Sequence, residues 1–203
     1  MSAMRLVLAS GNRGKIREIR ALLAPRGVKV LPQTAFAVPE AEETAPTFVE
    51  NALIKARHAA RHTGLPALAD DSGLEVDALA GAPGVHSARY AGPDADDRLN
   101  NAKLLEALAE FEGEARRARF RCVLVLVRHP FDPSPLIAEG VWEGEIATDP
   151  RGEGGFGYDP LFWVPQCRCT AAELSAEEKN RLSHRGQALR QLLARWPAEF
   201  SRC

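Results

Sequence analysis

The stretch Ala118 to His129, ARFRCVLVLVRH, alternates at its start and then becomes continuously apolar. That pattern is expected of a strand that enters a sheet covered on both faces, because alternation marks one wet face and an unbroken apolar run marks two buried ones. Reading outward toward the N-terminus, Arg5 to Ala9 is a second short buried strand. Lys15 to Ala24 follows as a helix, with Ile16, Ile19, Leu22 and Leu23 on one face and Gly27 as its stop. Val28 to Leu31 reads as a strand, and Thr47-Phe-Val-Glu50 as the capping box of a helix carrying Phe48, Ala52, Ala56 and Ala59 up to Gly64. Leu65 to Ala69 is a strand that runs into Asp70-Asp71-Ser72-Gly73, with another strand expected over Leu74 to Leu79. Beyond these, Asp97 to Glu110 is helical, Leu136 to Ile146 a strand, Leu161 to Val164 a short strand and Ser183 to Trp196 a closing amphipathic helix. Strands alternating with helices point to an α/β fold around a twisted mixed sheet, in a single domain over residues 1–203.

Composition excludes several functions. A net charge of −1 argues against a surface built for nucleic acid or for an acidic membrane. The N-terminus carries no signal-peptide pattern and no segment approaches the length of a membrane span, so a cytoplasmic protein is expected. The cysteines at 122, 167, 169 and 203 form no CxxC pair, and Cys122 reads as a small apolar residue packed in its strand.

In open α/β sheets ligands collect where strands end. Ser10-Gly-Asn-Arg-Gly-Lys15 lies at such a strand-to-helix junction, where backbone N–H groups and the positive end of the helix dipole favour an anion. A Walker loop is ruled out, since its first glycine is replaced by Ala9 and its metal-holding hydroxyl by Ile16. Asp70 and Asp71 leave a strand side by side, and their mutual repulsion would be relieved by Mg²⁺ or an amine. The same stretch also reads as an Asx-turn that merely closes the strand. Glu42 and Glu43 in the loop before the capped helix are hard oxygen donors of the kind Mg²⁺ takes, and Asn51 and Lys55 share one face of that helix. Late in the chain, Gly152 to Pro160 is dense in glycine and holds Phe156 and Tyr158, while Ser183-His-Arg-Gly186 places an imidazole and a guanidinium side by side at a helix start.

Five stretches in series, SGNRGK, EETAPTFVENALIKARHAA, LPALADDSGLEVDALAGAPGVHSARYAG, GEGGFGYDPLF and TAAELSAEEKNRLSHRGQAL, resemble the inosine triphosphate pyrophosphatase family, in its bacterial branch. The resemblance implies an elongated, two-lobed α/β fold around a central mixed sheet, with the nucleotide in the cleft between lobes, and a homodimer. It implies Mg²⁺-dependent hydrolysis of deaminated purine nucleoside triphosphates (ITP, dITP, XTP) to the monophosphate and pyrophosphate. Asp71 matches the general base. Ser10, Gly11, Asn12, Arg13, Gly14 and Lys15 match the phosphate loop, and Lys55 and Ser72 match substrate contacts. Phe156, Gly157, Tyr158, Asp159, Lys179, His184 and Arg185 match nucleoside and phosphate contacts, and Glu42 or Glu43 with Asp70 and Asp71 falls in the metal region. A Maf-like pyrophosphatase fits the FGYD and SHRG stretches less well, and a non-catalytic nucleotide-binding regulator is the alternative from another class.

Overall fold

The fold is that of a computed structural model, which describes residues 4–196. Among the described residues seven strands form one sheet in the order β2-β1-β3-β4-β5-β6-β7. They are β1 Arg5–Leu8, β2 Lys29–Pro32, β3 Ala67–Val76, β4 Arg117–Val127, β5 Leu136–Ile146, β6 Phe162–Val164 and β7 Cys169–Thr170. The pairs β1/β2 and β1/β3 are parallel, whereas β5/β6 and β6/β7 are antiparallel, so the sheet is mixed. Among the described residues five α-helices accompany it: α1 Arg13–Leu23, α2 Phe48–Thr63, α3 Asp97–Ala107, α4 Ala176–Leu182 and α5 His184–Ala194. Among the described residues no helix is long and apolar enough to cross a membrane.

The chain divides into two compact units: Met1–Asp71, Cys122–Gly140 and Arg185–Cys203 in one, Ser72–Arg121 and Val141–His184 in the other. In the first unit, strand alternation sorts the side chains by size. Leu6 and Leu8 of β1, Leu68 of β3 and Cys122, Leu124 and Leu126 of β4 pack with Ile19 and Leu23 of α1 and Leu189 and Leu192 of α5. Their neighbours Val7, Ala67, Ala69, Val123, Val125 and Val127 point to the other face, against Ala52, Ala56, Ala59 and Ala60 of α2. The α2 side of this layer is built of alanines and the sheet side of alanine and valine, so the packing here is between small side chains. The continuous apolar run of β4 is thus explained by two covered faces. The second unit has its own core, built on Leu74, Val76, Leu104, Leu108, Phe120, Trp142, Tyr158 and Phe162.

The structure corrects the sequence reading at several points. Residues 65–69 and 74–79 do not form two strands joined by a turn; β3 runs unbroken from Ala67 to Val76, straight through Asp70-Asp71-Ser72-Gly73. Polar residues stay in the sheet because each carboxylate finds a cation, as described below, so there is no electrostatic reason to leave it. The Asx-turn alternative therefore falls. α3 stops at Ala107, three residues before the expected end, and the closing helix is preceded by the unforeseen α4. Ser175 and Glu178 form the capping box of α4, a signal present in the sequence. β7 is only two residues long, too short to carry a periodic pattern.

Candidate active site

In the first unit, β1 ends at Leu8 and the chain turns through Ser10, Gly11 and Asn12 into α1. The Asn12 side chain caps the helix by accepting from Lys15 N at 3.0 Å, and the Ser10 hydroxyl accepts from Asn12 N at 3.1 Å. The capping geometry turns Lys15 inward, where its Nζ lies 2.6 Å from Asp70 Oδ1.

Successive residues of β3 face opposite ways, and this sets the fate of its two carboxylates. Asp70 shares the face of Leu68. It receives Lys15, the Arg185 guanidinium from α5 (Nε to Oδ2, 2.7 Å) and the Cys122 thiol (Sγ to Oδ2, 3.2 Å). Arg185 is also paired with Glu18 of α1 and is only 2% exposed. Burial alone would raise the Asp70 pKa, but the charges of Arg185 and Lys15 prevail and hold it well below the usual carboxylate range. The same burial, reinforced by the Asp70 charge, pushes the Cys122 thiol well up, so it stays protonated and donates.

Asp71 shares the face of Ala69, toward α2, and meets Lys55 of that helix at 2.6 Å from its Oδ1. The Lys55 ammonium also contacts Glu43 Oε1 at 2.8 Å and donates to the Asp70 carbonyl at 3.0 Å. Asp71 Oδ2 is buried and, among the described residues, has no hydrogen-bond partner. Burial raises the Asp71 pKa; Lys55 and Lys15 pull it down without cancelling the shift, and Glu43 adds to it. For Lys55 burial works downward, yet Asp71 and Glu43 outweigh it and the net shift is upward, so it remains an ammonium. Asp70 is thus a permanent anion held by two cations, whereas Asp71 is a carboxylate with raised proton affinity and an open oxygen.

Glu43 lies inside this cluster and Glu42 is exposed, which separates two residues that the sequence left equivalent. Among the described residues no three His, Cys, Asp or Glu side chains are grouped closely enough to hold a metal by themselves. Mg²⁺ asks for less, usually one or two protein carboxylates with phosphate and water completing its shell. Asn51, expected to share the working face of α2 with Lys55, instead staples the acidic loop: it accepts from Ala45 N and donates to Ala45 O, both at 3.0 Å.

In the second unit, the residues 155–159 are held by side chains from α3 and α4 and by the backbone carbonyl of Ser87. Asp97 accepts from Gly157 N at 2.7 Å, Asn101 donates to Gly157 O at 2.9 Å, and the Tyr158 hydroxyl donates to Ser87 O at 2.8 Å. Asp159 Oδ2 accepts from Phe156 N at 2.8 Å and pairs with Lys179 of α4 at 2.5 Å. Lys179 Nζ also sits 4.9 Å from the centre of the Phe156 ring. Gly155 is irreplaceable on two counts: its φ is +75°, and a Cβ there would come within 2.0 Å of Asp159 Oδ2. His184 stacks on Phe120, with ring centres 4.7 Å apart. Tyr158 and Asp159 are buried, while Phe156 and Gly157 are partly exposed and Ser72 is half-buried in β3.

The residues that sequence reasoning missed are the ones that hold others. Glu18 was hidden as an ordinary charged position of an amphipathic helix, and Asp97, Asn101 and Ser87 lie far along the chain from the loop they fix. The charge sequence Lys15-x-x-Glu18 was the one available hint, since residues three apart on a helix are neighbours.

Residues 6–195 match the model of the Ham1 family. A relative from Thioalkalivibrio sulfidiphilus, named dITP/XTP pyrophosphatase, is 64% identical over 192 residues, covering 95% of this chain and 98% of its own length. One from Escherichia coli O157:H7 with the same name is 58% identical and covers 93% and 96%. Among solved structures, the HAM1 protein of Coxiella burnetii superposes with a TM-score of 0.86 at 57% identity, covering 94% of this chain and 97% of that one. The Ham1 protein of Staphylococcus aureus does so with a TM-score of 0.82 at 41% identity, covering 96% and 99%.

Proposed function

The chain belongs to the Ham1 family, and from that premise we propose that it is a nucleoside triphosphate pyrophosphatase that cleaves deaminated purine nucleotides (ITP, dITP and XTP) to the monophosphate and pyrophosphate. The observation that carries the reading is Asp71: a buried carboxylate of raised proton affinity, with one oxygen on Lys55 and the other open. Such a group accepts a proton from water at neutral pH better than an exposed aspartate does. Phosphoanhydride hydrolysis needs positioning and charge neutralisation more than covalent help. Lys15, Lys55 and the backbone from Ser10 to Gly14 at the α1 N-terminus supply both for the triphosphate.

Asp71 Oδ2 takes the proton as water attacks the α-phosphorus, and pyrophosphate departs against Lys15. Glu43 is the acid that would hold Mg²⁺ beside the phosphates, and the lysine already lodged between Glu43 and Asp71 fits that requirement for positive charge. The ion would neutralise charge on the phosphate oxygens. Asp70, committed to Arg185 and Lys15, fixes the lysine rather than a metal, and Glu42 stays in solvent. Arg185 then acts through Asp70. For the nucleoside we assign Ser72, Phe156, Gly157, Tyr158, Asp159, Lys179 and His184, with Tyr158 and Asp159 shaping the loop. Donors facing the C6 oxygen of hypoxanthine or xanthine would meet an amino group in ATP, and each unpaired buried donor costs about 1–3 kcal/mol. We further propose one cytoplasmic pyrophosphatase domain that works as a homodimer.

Product analysis with ITP, dITP, XTP, GTP and ATP in the presence of Mg²⁺ tests the reading. Pyrophosphate is expected from the first three at rates about 10³-fold above ATP if two or three such donors go unpaired, with turnover lost in Asp71→Asn. Orthophosphate as product, or equal rates on all five, would refute it.

A further inference from the structure

α2 carries a second chemistry beyond Lys55. Its last two turns hold His58-Ala-Ala-Arg-His62, and histidines four apart on a helix are neighbours on one face. The two rings are in contact, with centres 4.5 Å apart and planes inclined at 50°. His62 is exposed and His58 partly so, which leaves the pair open to solvent.

Three features of the pair point to a metal ion. The first is the proton on His58. Its Nε2 stands 2.9 Å from the Pro39 carbonyl, which can only accept, so Nε2 carries the hydrogen and the lone pair of the neutral ring lies on Nδ1. Metal-binding histidines are held in this way, with the other ring nitrogen donating to a carbonyl that fixes tautomer and orientation. The second is the ring separation. With metal–nitrogen bonds of about 2.0–2.1 Å, each imidazole centre lies about 3.2 Å from a shared ion, and centres 4.5 Å apart subtend about 90° there. Adjacent ligands in square-planar or octahedral coordination stand at that angle. The third is position, since the C-terminal turns of a helix favour a cation.

The donor set also selects the ion. Arg57 and Arg61 precede the two histidines, and among the described residues no third His, Cys, Asp or Glu joins them in a cluster. Imidazole and water suit Ni²⁺, Cu²⁺ or Zn²⁺, whereas Mg²⁺ asks for carboxylate or phosphate oxygen.

We propose that His58 and His62 form a chelating site for a divalent transition-metal ion, separate from the carboxylates Asp71 and Glu43. Pro39 opens the acidic loop that leads to Glu43, so an ion on Nδ1 of His58 locks the Nε2–H bond to Pro39 and clamps that loop to α2.

Titration calorimetry of the full, tag-free chain with NiCl₂, in Mg²⁺-free buffer after treatment with a chelator, tests the site without any nucleotide. Wild type should bind one Ni²⁺ more tightly than His62→Ala or His58→Gln by about tenfold or more, the gain that a second tethered ligand brings. Glutamine can still donate to the Pro39 carbonyl, so a loss in His58→Gln reports the missing ligand and not a freed loop. The losses should not add in the double variant, because each substitution already breaks the same chelate. Ni²⁺ should raise the Tm of wild type more than that of His62→Ala, and Asp71→Asn should bind it as wild type does. Wild-type affinity in both single variants, additive losses in the double variant, or loss of the site in Asp71→Asn would overturn the proposal.

Discussion

Asp70 and Asp71 are chain neighbours with opposite electrostatic fates, and a single strand register decides which is which. Asp70 is flanked by Arg185 and Lys15 and its pKa is lowered; Asp71 is buried beside one ammonium, with its pKa raised. The signs lead to a prediction. A base with a raised pKa loses its proton-accepting form as pH falls through that value, so kcat/KM should decline on the acid side at a pH above the ordinary aspartate range of about 4. Lys55 lowers the Asp71 pKa, and removing it in Lys55→Met should move this acid limb to still higher pH while reducing kcat. A limb that stayed in place or moved down in a pH–rate profile would show that Asp71 is not the group being titrated.

At the level of elements, the turn from β1 into α1 and the capping of α2 were legible in the sequence because both rest on local chemistry. Thr47 accepts from Glu50 N as the capping box requires, and Asn12 caps α1. The unbroken course of β3 was not legible. Asp-Asp-Ser-Gly carries every local signal of a turn, and only partners 16, 55 and 115 residues away, Lys55, Lys15 and Arg185, make its burial tolerable. The same holds for the 155–159 loop, whose motif was visible but whose supports were not. Its geometry yields a second prediction. In Gly155→Ala the new methyl must displace Asp159 or strain a φ of +75°. Such strain costs about 1–3 kcal/mol, so KM for ITP should rise about tenfold with a smaller change in kcat. Steady-state kinetics with an unchanged KM would show that the Asp159–Lys179 pair plays no part in substrate binding.

Across the whole molecule, two cores serve one sheet, and the polar residues that matter sit where apolar packing gives out. The Leu and Val/Ala faces of the first unit place α1, α5 and α2 so that Lys15, Arg185 and Lys55 reach a single pair of carboxylates. The unbroken apolar run of β4 announced the covered sheet, and helix spacing announced the stripes on α1 and α2, which is why the fold class could be read from sequence. The convergence on Asp70 and Asp71 is a property of the assembled layers and belongs to no single stretch. In the proposed reaction this convergence directs water to the α-phosphorus. Hydrolysis of ITP in H₂¹⁸O, with both products analysed by mass spectrometry, tests it most directly. One ¹⁸O should appear in the inosine monophosphate and none in the pyrophosphate; label in the pyrophosphate, or release of labelled orthophosphate, would contradict it.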